Sequence, residues 1–181
     1  MKISPTALRE VFIIEPDVKH DERGMFFESF NERRFTELTG IEARFVQDNH
    51  SRSLRNVVRG LHYQIKQTQG KLVRVVSGEV FDVAVDMRRR SPTFGSWTGV
   101  VLSADNRRQT WIPPGFAHGF AVLSEAAEVI YKTTDYYAPE HARAVCWNDP
   151  SIGIKWPLTG VPLLSEKDRN APPLADADVF E

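Results

Sequence analysis

The chain has 181 residues, 41% of them hydrophobic and 26% charged, with 23 Lys and Arg against 24 Asp and Glu for a formal net charge of -1. This length suits one domain with a single core, and the charge balance excludes a disordered chain and a coat for nucleic acid. The start MKISPTALRE lacks an apolar signal-type run, and no stretch approaches the ~20 apolar residues that span a bilayer, so no membrane partner and a cytoplasmic address are expected.

In chain order, residues 11–16 (VFIIEP) and 25–30 (MFFESF) are short β-branched and aromatic runs closed by turn residues, the pattern of strands. Asn31 as cap, Phe35 and Leu38 three apart, and Gly40 as the closing residue predict one short helix. Residues 71–76 (KLVRVV) and 79–87 (EVFDVAVDM) flank Ser77-Gly78, where glycine supplies a positive φ, and predict a β-hairpin. Alternation in the second run puts Phe81, Val83, Val85 and Met87 on one face and Val80, Asp82, Ala84 and Asp86 on a more polar one. Arg88-Arg89-Arg90, ahead of Ser91-Pro92, reads as a solvated turn. Runs at 97–103 (WTGVVLS), 110–114 (TWIPP), 119–123 (GFAVL) and 128–134 (EVIYKTT) complete a series of short strands that predicts an all-β sandwich or barrel. Beyond Ala138 the prolines do not suit central strands. The expectation is therefore one domain over 1–181, with a barrel core at about 11–147 and a C-terminal wrap at about 148–181. Cys146, the one cysteine, sits between apolar neighbours as a packed thiol and excludes an internal disulfide.

Two segments concentrate the histidine chemistry: RGLHYQ around His62 and PPGFAHGF around His118. After the Pro113-Pro114-Gly115 turn, alternation points Phe116, His118 and Phe120 to one side, so His118 is expected to face an interior lined by aromatics. The alternative, a buried histidine satisfied by a backbone carbonyl, is weakened by this tight glycine and proline setting. Glycine and proline followed by histidine at this spacing resembles the second motif of cupins, with Gly60 to His62 where their first motif falls. Metal-binding cupins usually carry two histidines one residue apart in that first motif, followed by glutamate; here it reads His62-Tyr63-Gln64. Two histidines fall short of the three protein ligands typical of a catalytic zinc site, so no metal and no cofactor are expected, and acid–base chemistry is favoured.

The segments RGLHYQ, QGKLVRVVSGEVFDVAVDMRRRSPTFG, WIPPGFAHGF, YKTTDYYAPE and LLSEKDRNAPPL, in this order between about Val11 and Pro173, together resemble the dTDP-4-dehydrorhamnose 3,5-epimerase family. The resemblance implies an all-β, cupin-like double-sheet β-barrel (jelly roll) with a short helix and an irregular C-terminal wrap. It also implies an isomerase that converts dTDP-4-dehydro-6-deoxy-D-glucose to dTDP-4-dehydro-L-rhamnose in dTDP-L-rhamnose biosynthesis, for lipopolysaccharide or cell-wall polysaccharide. The C4 ketone of that sugar acidifies the hydrogens on C3 and C5, so both inversions are enolisation and reprotonation. They need a base, a group that stabilises the enolate, and an acid on the opposite face.

By the same resemblance His62 is the proton acceptor and Asp168 its partner, Lys71 stabilises the enolate oxygen, and Tyr131 delivers the proton at C5. Arg23, Glu28, Gln47, Asn49, Arg59, His118 and Lys167 are implied substrate contacts, arginine being suited to the two phosphates. At Ala142 the family commonly carries glutamate, and a sugar-nucleotide contact there is not carried over. A homodimer with exchanged N-terminal strands is implied as well. Taken alone, Tyr131 would read as packing, Asp168 as a solvated salt bridge and Lys71 as a surface residue; only the ordered constellation reverses this. The competing assignments are an epimerase acting at C3 or C5 alone, a metal-dependent cupin isomerase or dioxygenase with His62 and His118 as ligands, and a non-catalytic sugar-binding cupin. The last would not need His62, Asp168, Lys71 and Tyr131 together.

Overall fold

The computed structural model describes residues 1–181. The chain opens with β1 (Lys2–Pro5) and β2 (Phe12–Glu15), throws out a ribbon of β3 (Lys19–Asp21) and β4 (Gly24–Phe26), and turns through α1 (Glu32–Thr39). Next come β5 (Gln47–Leu54), β6 (Val58–Gln64), β7 (Lys71–Ser77), β8 (Glu79–Asp86), β9 (Trp97–Ser103), β10 (Gln109–Ile112), β11 (Phe116–Val122) and β12 (Ala126–Thr133). The short β13 (Ala142–Ala144) and the single-turn α2 (Glu166–Arg169) follow. The strands form two antiparallel sheets, ordered β1-β2-β10-β7-β12-β5 and β13-β6-β11-β8-β9, with the β3–β4 ribbon apart. This is the expected double-sheet barrel.

The predicted hairpin at Ser77-Gly78 is not one. β7 pairs with β10 and β12, whereas β8 pairs with β11 and β9, so the turn carries the chain from one sheet to the other. The glycine is needed as expected, at φ 74°, and an added Cβ would collide with the Ala126 carbonyl. A tight positive-φ turn serves a ladder and a corner equally well, and alternation within each strand does not say which strand lies beside it.

The alternation in β8 also has a different sense from the one a half-solvated strand would give. Val83, Val85 and Met87 pack outward against Val145, Ile152, Ile154 and Ala177 of the C-terminal segment, with Phe81 beside them. Val80 and Ala84 belong instead to the cluster between the sheets, with Val73, Val75, Phe116, Phe120 and Val129. The more polar face of β8, Asp82 included, is thus the inner face. Each large apolar side chain fully buried in these clusters contributes about 1.5–3 kcal/mol.

Asn31 caps α1 by accepting from the Arg34 N–H at 3.1 Å, and Gly40 closes it in the left-handed region. Of its two apolar residues, Phe35 is buried against Phe30, Phe45 and Trp111, while Leu38 remains exposed. Arg88 is not the solvated turn residue expected. Its guanidinium bonds Asp86 at 2.9 and 2.8 Å, reaches Glu10, and lies 4.7 Å above the Phe116 ring. Burial pushes the Asp86 carboxyl up, but hydrogen bonds from Arg88, Ser91 and Thr93 outweigh this and bring it down to about 2. The C-terminal segment is tied to the barrel by backbone bonds from Cys146 N–H to Pro172, Val58 N–H to Leu163 and Phe180 N–H to Met87.

Candidate active site

β6 and β11 are hydrogen-bonded neighbours, with His62 directly opposite His118. Glycines allow the strands to come this close: a Cβ on Gly60 would lie 2.6 Å from the Gly119 Cα and the His118 carbonyl oxygen, and a Cβ on Gly119 2.5 Å from the Arg59 carbonyl oxygen. A side chain at either position would force the histidine-bearing strands apart.

On the facing sheet, Lys71 lies opposite Thr133 and Tyr131 opposite both Val73 and Asn49. Strand alternation therefore turns Lys71, Tyr131, Gln47, Asn49 and Ser51 inward together, and Val129, Tyr131 and Thr133 share a face as expected. The four groups given catalytic roles converge. His62, Lys71 and Tyr131 border two adjoining lobes of one cavity, of about 150 and 220 Å³. Asp168 stands behind His62, its Oδ1 2.5 Å from the His62 Nε2.

Asp168 comes from α2, where Ser165 accepts the Asp168 N–H at 3.1 Å and so sets the direction of this one turn. The Asp168 side chain is 4% exposed, whereas that of His62 keeps 39% open to the cavity. Burial raises the Asp168 carboxyl, but the hydrogen bond and charge of His62, with help from Ser165 and the Gly60 backbone, hold it below its ordinary value. An ionised carboxylate only accepts, so the His62 Nε2 carries the hydrogen and its Nδ1 is the nitrogen left with a free lone pair.

Lys71 is 6% exposed, and its Nζ donates to the His62 carbonyl oxygen at 3.1 Å. Burial pushes its ammonium down to about 8, against the opposing pull of the Asp82 charge. The half-buried Tyr131 phenol is raised by burial, with the nearby Arg59 working the other way. The Tyr131 ring meets that of His118 edge-on at 6.3 Å, and Phe120 lies 6.4 Å from the same imidazole, so His118 does face an interior lined by aromatics.

Arg59 lines the smaller lobe and is steadied by a 2.8 Å bond to Ser53; Lys167 lines the larger one with Arg143, Tyr137 and Ala142. The Gln47 amide donates to Asn49 and accepts the Tyr137 N–H, both at 2.9 Å, tying the edge strand β5 to the loop over the cavity. Arg23 and Glu28 stand apart from the lobes within this chain. Arg23 is 85% exposed on the ribbon and paired with Asp21, and Glu28 pairs with Arg34 beside α1. No group of three or more His, Cys, Asp or Glu side chains is arranged to hold a metal ion. A more open cleft of about 920 Å³ runs along Arg9, Arg88, Arg90 and Phe180, but no histidine, tyrosine or lysine lines it.

Sequence reasoning left Asp82 without a role. The buried Asp82 carboxylate lies 2.6 Å from the Nε2 of His118. The available signal was a charged residue in the middle of a strand, flanked by apolar residues on both sides, a position that folded proteins keep only when the charge is paired.

An antiparallel double-sheet barrel with a histidine–carboxylate pair, a buried lysine and a tyrosine around one interior cavity has the cupin-like form and the groups that proton-transfer isomerases use. A profile described as dTDP-4-dehydrorhamnose 3,5-epimerase matches residues 5–176. The dTDP-4-dehydrorhamnose 3,5-epimerase of Pseudomonas aeruginosa is 63% identical over 180 residues, covering 99% of each chain, and that of Salmonella typhimurium is 58% identical over the whole of both. A dTDP-6-deoxy-D-glucose-3,5-epimerase from Legionella pneumophila, solved with dTDP-4-keto-L-rhamnose, superposes with a TM-score of 0.96 at 57% identity, covering 98% of this chain and 94% of the other. The chain belongs to the dTDP-4-dehydrorhamnose 3,5-epimerase family.

Proposed function

We propose that this chain epimerises dTDP-4-dehydro-6-deoxy-D-glucose at C3 and C5 to dTDP-4-dehydro-L-rhamnose, in the cytoplasm, as a step of dTDP-L-rhamnose synthesis for lipopolysaccharide or cell-wall polysaccharide. The observation that carries this assignment is the convergence of His62 with its buried Asp168, Lys71 and Tyr131 on one cavity. The His62 Nδ1 takes the proton from carbon, and the imidazolium that results is stabilised by the Asp168 carboxylate. The electron pair moves onto the C4 oxygen, where the Lys71 ammonium stabilises the enolate. The Tyr131 hydroxyl, whose raised pKa keeps it protonated, returns a proton to C5 from the opposite face, and a solvent water returns one to C3. Proton exchange with solvent resets imidazolium and phenolate, so no net proton is consumed.

Arg59, Lys167 and His118, with Gln47 and Asn49, hold the nucleotide-sugar, the two cations suiting its phosphates. Arg23 and Glu28 reach the site of a second copy of the chain in a homodimer. The exposure of Met25 and Phe26, 52% and 75%, on the ribbon that carries Arg23 supports this. Sedimentation is expected to give twice the chain mass; a monomer at working concentration rejects the dimer.

Catalysis is assigned to side chains alone, so exhaustive chelation is expected to leave turnover unchanged. Loss of activity restored by a single divalent metal would reject metal independence and favour a metal-dependent cupin.

Tyr131→Phe keeps the ring and removes the hydroxyl, and it tests the division of labour. The base, its partner and the lysine remain, so C3 still exchanges, and an enolate at C5 is reprotonated with retention by the returning base. Product enriched in the C3 epimer, with C5 inversion slowed by about 10²-fold or more, is expected by NMR in D₂O. Doubly inverted product at the wild-type rate would make Tyr131 a packing residue.

A further inference from the structure

Asp82 sits midway along β8 on the face turned into the barrel and is 2% exposed. Its Oδ1 lies 2.6 Å from the His118 Nε2, while its Oδ2, wholly buried, has no hydrogen-bond partner within the chain. A buried carboxylate oxygen left unpartnered is costly, and such a group calls for an explanation beyond packing. His118 is the cross-strand neighbour of His62, so two histidine–carboxylate pairs stand side by side, His62–Asp168 and His118–Asp82. They differ in access: the His62 side chain is 39% exposed and that of His118 7%.

Neither lobe of the cavity is lined by an acid. Lys71 is faced by His62 from β6, His118 from β11 and Tyr131 from β12, with Arg59 on the smaller lobe and Arg143 and Lys167 on the larger. Of the two carboxylates set behind this cationic wall, Asp168 is committed to His62. Asp82 is the one whose charge acts on Lys71, and it does so without a hydrogen bond to it. This arrangement has a chemical advantage. A carboxylate bonded directly to the ammonium would occupy its donors and cancel its field, whereas one held behind His118 sustains the charge and leaves two of the three N–H groups for an enolate oxygen.

We propose that Asp82 is a positioning residue of the epimerase site: its buried carboxylate holds His118 with Nε2 turned to it and Nδ1 left for substrate, and it is the counter-charge of the Lys71 ammonium. This rests on the function assigned above. As a carboxylate, Asp82 offers only acceptors, so the His118 Nε2 must carry a hydrogen.

Asp82→Asn keeps shape and removes charge, and kcat and KM are to be measured against pH beside wild type. In the wild-type protein kcat is expected to fall above about pH 8, as Lys71 loses its proton. In the variant that fall moves to lower pH by about one unit and kcat at neutral pH drops about tenfold or more, with KM changed by less than about threefold. An unmoved alkaline limb with kcat within about threefold of wild type would overturn the proposal. The second measurement needs no variant: ¹⁵N NMR of histidine-labelled wild-type protein is expected to show His118 with hydrogen on Nε2, and a neutral Nδ1–H tautomer overturns the proposal even if Asp82→Asn does not fold. If wild type takes up no deuterium from D₂O at C3 or C5, the epimerase assignment fails, while the tautomer still decides whether Asp82 orients His118.

Discussion

His62→Ala is expected to abolish deuterium incorporation at both C3 and C5 and to lower turnover by about 10²–10⁴-fold, the range a positioned general base supplies. Both carbons flank one ketone, and His62 lines the cavity with its Nε2 held by the Asp168 carboxylate, which leaves Nδ1 as its basic nitrogen. His118 does not replace it, because its ring is almost wholly buried and engaged with Asp82. The variant also leaves Asp168 buried without its partner, and an uncompensated buried carboxylate is destabilising. Thermal unfolding must therefore show a folded protein before the loss is assigned to chemistry. The measurement is NMR of substrate in D₂O; substantial exchange at either carbon would mean that one base does not serve both.

Lys71→Met is expected to move activity and stability in opposite directions. Removing one group aimed at a developing oxyanion costs about 10²–10³ in kcat. The same ammonium burdens the fold. Its pKa drops from 10.5 in the free residue to about 8 when buried, so the unfolded chain binds more protons than the native one between those values. The penalty is therefore full below about pH 8 and is relieved as pH rises towards 10.5. At pH 7 it is on the order of 3 kcal/mol, of which the lost bond to the His62 carbonyl takes back about 1 kcal/mol. Urea unfolding at pH 7 should show a variant more stable than wild type by roughly 1–2 kcal/mol, and its stability should lack the wild-type rise above pH 8. A destabilised variant with near wild-type kcat would place Lys71 in the scaffold instead.

The parts of the fold that could be read in advance were those where local chemistry decides: Asn31 and Gly40 bounding α1, the apolar runs of β7 to β12, and the inward histidine after Pro113-Pro114-Gly115. What escaped depended on partners distant in sequence. β5, with the sequence QDNHSRSL, has no apolar periodicity because its inner face meets the cavity and its outer face is exposed, yet it is fully paired with β12 and holds Gln47 and Asn49. β6 carries His62 but was not among the strands read from the sequence, because glycine, arginine and histidine interrupt its apolar residues.

The site shows the same division. His62 and His118 stood out by context, whereas Asp168, 106 residues beyond His62, and Lys71 could be assigned only through the ordered family motifs. Asp82 was visible as a charge between apolar residues in mid-strand, but its meaning required knowing that the polar face of β8 is the inner one.

The corner at Gly78 also bears on how the chain acquires its function. Because β7 and β8 enter opposite sheets and β2, β5 and β6 find partners in β10, β12 and β11, little of the barrel can assemble from adjacent hairpins. Such non-local pairing folds slowly, since loop closure precedes the contacts that reward it. The groups assigned to catalysis above come from both sheets and from α2, so they meet only when strands distant in sequence have paired, and His62 gains its Asp168 partner only when the segment carrying α2 docks.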